Sequence, residues 1–113
     1  MSITTDPTDP RLNKGEGQHE VYLVLSEEER AKGFVRPLRR SYVHVGDDPV
    51  MDGRVMLKLG VGGCGAVTRM GLALCETYAR DPKFYGATFC VGCNAHFPVA
   101  QFKWDEDGAV VGS

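Results

Sequence analysis

A chain of 113 residues, 42% hydrophobic and 25% charged, makes one domain around one modest core and leaves no room for a second. Its formal net charge of -2 excludes a global electrostatic pull toward nucleic acid or an anionic membrane, so any such contact must be local. Fourteen glycines and six prolines favour turns and short strands over long helices, and an α+β domain is the expectation.

Residues 1–17 carry Asp, Thr, Pro and Gly without an apolar stretch, which fits neither a secretory signal nor a membrane span. Residues 1–18 are expected as a flexible lead-in and 19–113 as a single metal-binding domain. Four cysteines without an export signal point to the reducing cytoplasm, where thiols favour metal over disulfides.

The first expected strand is 20–25, where Val21, Leu23 and Leu25 alternate with Tyr22 and Val24. Ser26 then opens a short helix, with Glu29 at the capping-box position and Gly33 as its stop. Residues 34–45 read as extended, broken at Pro37, with Tyr42-Val43-His44-Val45 the clearest strand. An acidic loop over 46–53 leads to a strand over 55–59, then to the glycine string 60–65. The main helix is expected over 66–80, because Val67, Met70, Gly71, Leu74, Cys75 and Tyr78 recur at helical steps before Asp81-Pro82. Two strands, 84–90 and 97–104, flank the turn that holds Cys90 and Cys93, and 109–111 is a last apolar stretch.

The chemistry lies in Cys90-Val91-Gly92-Cys93-Asn94-Ala95-His96. Two thiolates two residues apart in one turn suit a tetrahedral ion such as Zn2+. A redox dithiol would place its CxxC at the start of a helix, whereas here Pro98 and the alternating Val99, Phe102 and Trp104 follow. For the remaining ligands, Cys64 and Cys75 stand eleven residues apart. If a helix runs between them they are separated by roughly 15 Å, too far for one ion. Cys75 on the apolar helix face reads as packing, and Cys64, in a glycine-rich loop at the expected helix start, reads as the third ligand. His96 is the favoured fourth ligand of a Cys3His site, with His44 in the Tyr-Val-His-Val strand as its substitute.

The stretch from Cys90 to Phe102, with Pro98 between, is similar to small zinc-ribbon hairpins, including those attached to phage and bacterial endonucleases. More broadly, Gly33-Phe-Val-Arg-Pro with Ser41-Tyr-Val-His-Val-Gly, then Cys64-Gly and Glu76-Thr-Tyr-Ala-Arg-Asp-Pro-Lys-Phe-Tyr-Gly-Ala-Thr-Phe-Cys, resembles a family of short bacteriophage-encoded proteins. That resemblance implies a phage product acting in the cytoplasm of an infected bacterium, and no particular activity. Alanine is usual in that family where Cys75 stands, which implies a packing role.

Cys93-Asn94-Ala95-His96 also resembles the end of an HNH nuclease, in which histidines beside a metal-bound hairpin activate water. Such nucleases carry an acidic residue before the base histidine, whereas His44 follows Val43. For nucleic acid, Arg30, Lys32, Arg36, Arg39 and Arg40 fall within eleven residues, with Phe34 and Tyr42 interleaved, and Arg36, Arg39 and Arg40 are the candidate phosphate contacts. The plainer reading is a solvated basic edge balanced by Glu27, Glu28 and Glu29. The glycine string lacks the lysine and Ser/Thr of a phosphate loop.

The expectation is therefore an α+β domain with a small antiparallel sheet on one main helix and a zinc-knuckle hairpin near the C-terminus. Its expected role is that of a non-catalytic phage accessory protein that binds a host or phage protein, for instance one of host defence. A nucleic-acid-binding zinc ribbon and an HNH-like remnant are the alternatives.

Overall fold

The computed structural model describes residues 2–12, 21–53 and 55–113. In chain order its elements are β1 (Ser2–Thr4), β2 (Val21–Leu23), α1 (Glu27–Arg30), β3 (Ser41–His44), β4 (Val50–Asp52), β5 (Val55–Lys58), β6 (Val67–Arg69), α2 (Leu72–Arg80), β7 (Ala87–Cys90), β8 (Ala95–Pro98) and β9 (Phe102–Trp104). A single 3-10 turn, Val99–Gln101, separates β8 from β9. The fold is α+β, as expected, with small antiparallel sheets around one main helix.

Its spine is one long antiparallel hairpin. β3 and β4 run out, and β5 and β6 return. At the root Tyr42 faces Thr68 and Val43 faces Val67. Further out the Gly65 N–H donates to His44 O (2.9 Å), and Asp47 and Val61 exchange two backbone bonds of 2.9 Å each. Near the tip Met51 faces Met56, while Val50 faces Lys58. Leu57 is thereby the extra residue of a β-bulge, which bends the returning limb. The limbs touch backbone to backbone at their middle, and the glycine string exists for that reason. A Cβ on Gly60 would lie 2.0 Å from Asp47 O, and one on Gly63 would lie 2.5 Å from Val45 O.

β9 adds to the other edge of β3, with Tyr42 opposite Trp104 and His44 opposite Phe102. Alternation then turns Tyr42, His44, Phe102 and Trp104 to one face, where Tyr42, Phe102 and Trp104 join Leu74, Cys75 and Tyr78 of α2 in the core. Trp104 sits edge-on to both Tyr78 (5.2 Å) and Tyr42 (6.0 Å). Edge-to-face pairs of this kind contribute about 0.5–1.5 kcal/mol each beyond the area they bury.

The short first helix forms as its caps require. Ser26 Oγ accepts the Glu29 N–H at 3.1 Å, and Gly33 takes φ 110° beyond the end. Four expectations need correction. The main helix begins at Leu72, not at 66, because Val67-Thr68-Arg69 pairs with β3 and the Met70 N–H bonds to Arg40 O. A three-residue strand is too short to show a period of two, so its apolar residues were absorbed into the helical pattern behind it. The acidic loop 46–53 contains β4, since β5 supplies it with a partner. The single strand over 97–104 is interrupted by the 3-10 turn. Within the expected lead-in, Ser2–Thr4 pairs in parallel with Val21–Leu23; residues 13–20, and the expected boundary after 18, lie outside the described residues.

Candidate metal centre

Four side chains from three segments converge at the root of the hairpin: His44 at the end of β3, Cys64 on the returning limb, Cys90 at the end of β7, and Cys93 in the turn beyond. Their ligand atoms all lie within 4.8 Å of one another. Cys64 Sγ stands 3.3 Å from Cys90 Sγ, and Cys93 Sγ 3.6 Å from His44 Nδ1. With bonds of about 2.3 Å to sulfur and about 2.0 Å to nitrogen, the corners of a zinc tetrahedron are roughly 3.5–3.8 Å apart. The two shortest separations are close to those edges and the widest is no more than 4.8 Å, so the four atoms could hold one ion after small adjustments of their side chains.

Each ligand is placed by local backbone chemistry. Asn94 takes φ 52° and its N–H donates to Cys90 O (2.9 Å), closing the turn that aims both thiols the same way. Gly92 lets that turn seat against the hairpin, since a Cβ there would lie 2.6 Å from the Ala66 Cβ and 3.1 Å from Cys64 Sγ. The His44 N–H bonds to Ala66 O (3.1 Å), which sets His44 and Cys64 side by side on opposite limbs.

His44 is fully buried and stacks against Phe97 (4.5 Å) and Phe102 (4.8 Å), whose own ring centres are 6.5 Å apart. Its Nε2 is 2.9 Å from Gln101 Oε1. The amide oxygen only accepts, so Nε2 carries the proton and Nδ1 keeps its lone pair toward the thiols. This is the outer support that a ligating histidine needs, fixing both tautomer and ring orientation. Gln101→Leu is expected to lower metal affinity ten- to a hundredfold with little change in helix content, read by competition with a chromophoric chelator.

Burial pushes the Cys64 thiol up, but the Ala66 N–H, Cys90, His44 and Cys93 outweigh it and hold the thiol at about 7. The Cys93 thiol is pushed up to about 11, chiefly through its bond to Cys64. Of these two coupled thiols Cys64 therefore gives up its proton first. A bound metal would displace the thiol protons, so uptake is expected to weaken as the pH falls, and more steeply once the pH passes about 7 and Cys64 itself becomes protonated.

The cluster brings together Cys64, Cys90, Cys93 and His44, and leaves out His96. In the antiparallel register of β7 and β8 Cys90 faces Ala95, whereas His96 faces Phe89. Side chains alternate, so His96 points to the opposite side of the hairpin from Cys90. There its Nε2 lies 3.1 Å from the Tyr22 hydroxyl. Nor does the helix start serve the site, since Cys64 precedes α2 by a whole strand and its nearest backbone donor is Ala66 (3.5 Å). Cys75 is packed in the core, its Sγ 3.8 Å from Met70 O and its thiol pushed up to about 11 by burial. Cys75→Ala is expected to leave metal stoichiometry unchanged, as elemental analysis of the purified variant would read. Phe97, Gln101 and Phe102 fall in the stretch that is similar to zinc-ribbon hairpins, but no local pattern in the sequence assigns them to the support of His44.

The residues of the basic run have partners within the fold, though Lys32 and Arg36 stay exposed. Arg39 is buried, pairs with Asp107 (3.1 Å) and lies over the Trp104 ring (4.7 Å). The Arg40 N–H donates to Glu106, and its guanidinium reaches Met70 O (3.5 Å). Arg36 is exposed and bonds to Ser113 O (3.3 Å). Arg30 pairs with Glu76 (2.7 Å) and Lys32 with Glu29 (2.9 Å). The turn 105–108 supplies the countercharges that the local sequence did not reveal.

Comparison of the chain with protein-family models, with curated proteins and with solved structures gives no match. Among the described residues no helix is long and apolar enough to cross a membrane.

Proposed function

We propose that the protein is a non-catalytic zinc-binding module whose ion holds the hairpin root to the C-terminal knuckle, and that it acts by engaging another protein. The observation that carries this reading is the four-cornered Cys3His donor set. All four positions around a tetrahedral ion are taken by protein atoms, as in structural sites, and none is left for water or substrate. Thiolate and imidazole together favour zinc over the hard cations.

Two further observations weigh against catalysis. None of the four ligands lines the cavity between α2 and β7 (about 50 Å3), the groove over Val43 and Val45 (about 360 Å3) or the recess between α1 and α2 (about 570 Å3). The histidine that an HNH-like reaction would need as a base, His44, has Nδ1 turned to the thiols and Nε2 tied to Gln101. The resemblance to short phage proteins supports a partner inside an infected bacterium, with the cytoplasm as the setting. A nucleic-acid role finds less support, because Arg39 and Arg40 already have internal partners.

Native mass spectrometry of protein purified without added chelator tests the site, with one zinc per chain expected. A mobility-shift series over salt concentration tests the role. No retardation of DNA or RNA is expected; strong, salt-sensitive retardation moves the reading to a nucleic-acid-binding ribbon, and DNA cleavage lost in His44→Ala moves it to a nuclease.

A further inference from the structure

The three sulfurs of the candidate metal centre are not equivalent. Cys64 Sγ and Cys90 Sγ are 3.3 Å apart, whereas Cys93 is turned to His44, its Sγ 3.6 Å from Nδ1. Cys64 is exposed and Cys90 is fully buried, so an oxidant arriving from solvent meets Cys64 with a second thiol directly behind it. The Ala66 N–H, 3.5 Å from Cys64 Sγ, is a donor toward the thiolate, the form that an oxidant consumes. Gly92 keeps the space beside both sulfurs clear, since a Cβ there would lie 3.1 Å from Cys64 Sγ and 3.9 Å from Cys90 Sγ. The pair needs to close by only about 1.3 Å to reach the length of a disulfide bond.

We infer that the centre is an exchangeable staple, in which a peroxide joins Cys64 to Cys90 and expels the ion. The inference rests on the reading of the cluster as a zinc site. The Cys64 thiolate attacks one peroxide oxygen, the O–O bond breaks, and the other oxygen leaves as hydroxide. The Cys90 thiolate then attacks the sulfenic sulfur of Cys64, forming the S–S bond and releasing a second hydroxide. The two thiolates give up two electrons, peroxide takes them, and two protons from solvent turn both hydroxides into water. Cys93 and His44 alone remain to the ion, half the donors of a structural zinc site. The bond spans the same segments as the ion did, because residues 64 and 90 stand 26 apart with β6 and α2 between them. A Cys90–Cys93 bond would close only the turn and leave the hairpin root unattached. Oxidation therefore removes the metal, keeps the root joined to the knuckle and frees the exposed Cys93 thiol.

Titration of the zinc-loaded full chain with hydrogen peroxide tests the inference, followed with a chromophoric chelator and by peptide mapping after alkylation. Release of one zinc per chain is expected, with Cys64 linked to Cys90 and with Cys75 and Cys93 recovered as free thiols. Dithiothreitol is expected to restore zinc binding in full, and the oxidised chain to melt above the reduced chain stripped by chelator. Zinc retained under peroxide overturns the inference and leaves the metal site standing. So does release with Cys90–Cys93 or Cys64–Cys93 as the principal bond, or an oxidised chain that melts no higher than the stripped one. A chain that carries no zinc before peroxide is added overturns the reading of the site beneath, and the exchange with it.

Discussion

If zinc fills the Cys3His cluster, a chelator is expected to lower the thermal midpoint by roughly 15–20 °C, a shift of about 4 kcal/mol when free zinc stands a thousandfold above its dissociation constant. The size follows from what the ion joins. His44 and Cys64 belong to the two limbs of the hairpin, and Cys90 and Cys93 to a knuckle that is distant in sequence. Without the ion three thiols and an imidazole crowd one another, and the root of the hairpin loses its only cross-link to the knuckle among the described residues that does not depend on packing or hydrogen bonds. Cys90→Ser is the near-isosteric version of the same experiment. It should reproduce the drop, whereas Cys75→Ala should not. Differential scanning calorimetry with and without chelator reads both, and a metal-free chain that melts at the holo temperature would dismiss a structural role for the ion. Hydrogen exchange should localise the effect, with amides of 45–63 losing protection first because both limbs of the arm start at ligands.

Gly63→Ala has the second largest expected effect, and it acts by steric means alone. Its backbone is not in the left-handed region, so the substitution meets no conformational penalty there. The new methyl would instead stand 2.5 Å from the carbonyl carbon and oxygen of Val45, closer than the 3.0 Å below which something must shift. The neighbours are backbone on both sides, so the limbs must part. Overpacking of this kind costs about 1–3 kcal/mol. Cys64 is the next residue, so the same displacement pulls a thiol out of the ligand shell. Zinc affinity is expected to fall at least as far as in Gln101→Leu, by about tenfold or more. Gly86→Ala, where nothing lies within 4 Å of the new methyl, is the control and should bind zinc as the wild type does. Equal affinity in Gly63→Ala would mean that the close approach of the limbs is incidental to the site.

Much of the site was legible where spacing is local. Cys90 and Cys93 are fixed by a turn of four residues, and no tertiary information is needed to see that both thiols share it. Ser26 and Glu29 announced the first helix for the same reason. Cys64 does stand in the cluster, but pairing of its limb with β3 brings it there and not a helix terminus. His96 was preferred because it is near in sequence, and lost because β-alternation turns it away from Cys90. His44 lies 46 residues before Cys90, and the two meet because β3 pairs with the returning limb while Phe89 O and the Val91 N–H bond to Tyr42 and Thr68 of the same hairpin.

The amino-acid sequence by itself determined the class of fold, the knuckle and the chemistry of its donors, because composition, caps and a CxxC act over a few residues. The tertiary structure alone decided which histidine completes the set, that the helix starts six residues late, and that Arg39 faces Asp107 and Trp104 instead of solvent. Those outcomes depend on strand register and on the burial of one face of a sheet. Both are settled by contacts between segments far apart in the chain, and neither leaves a local trace.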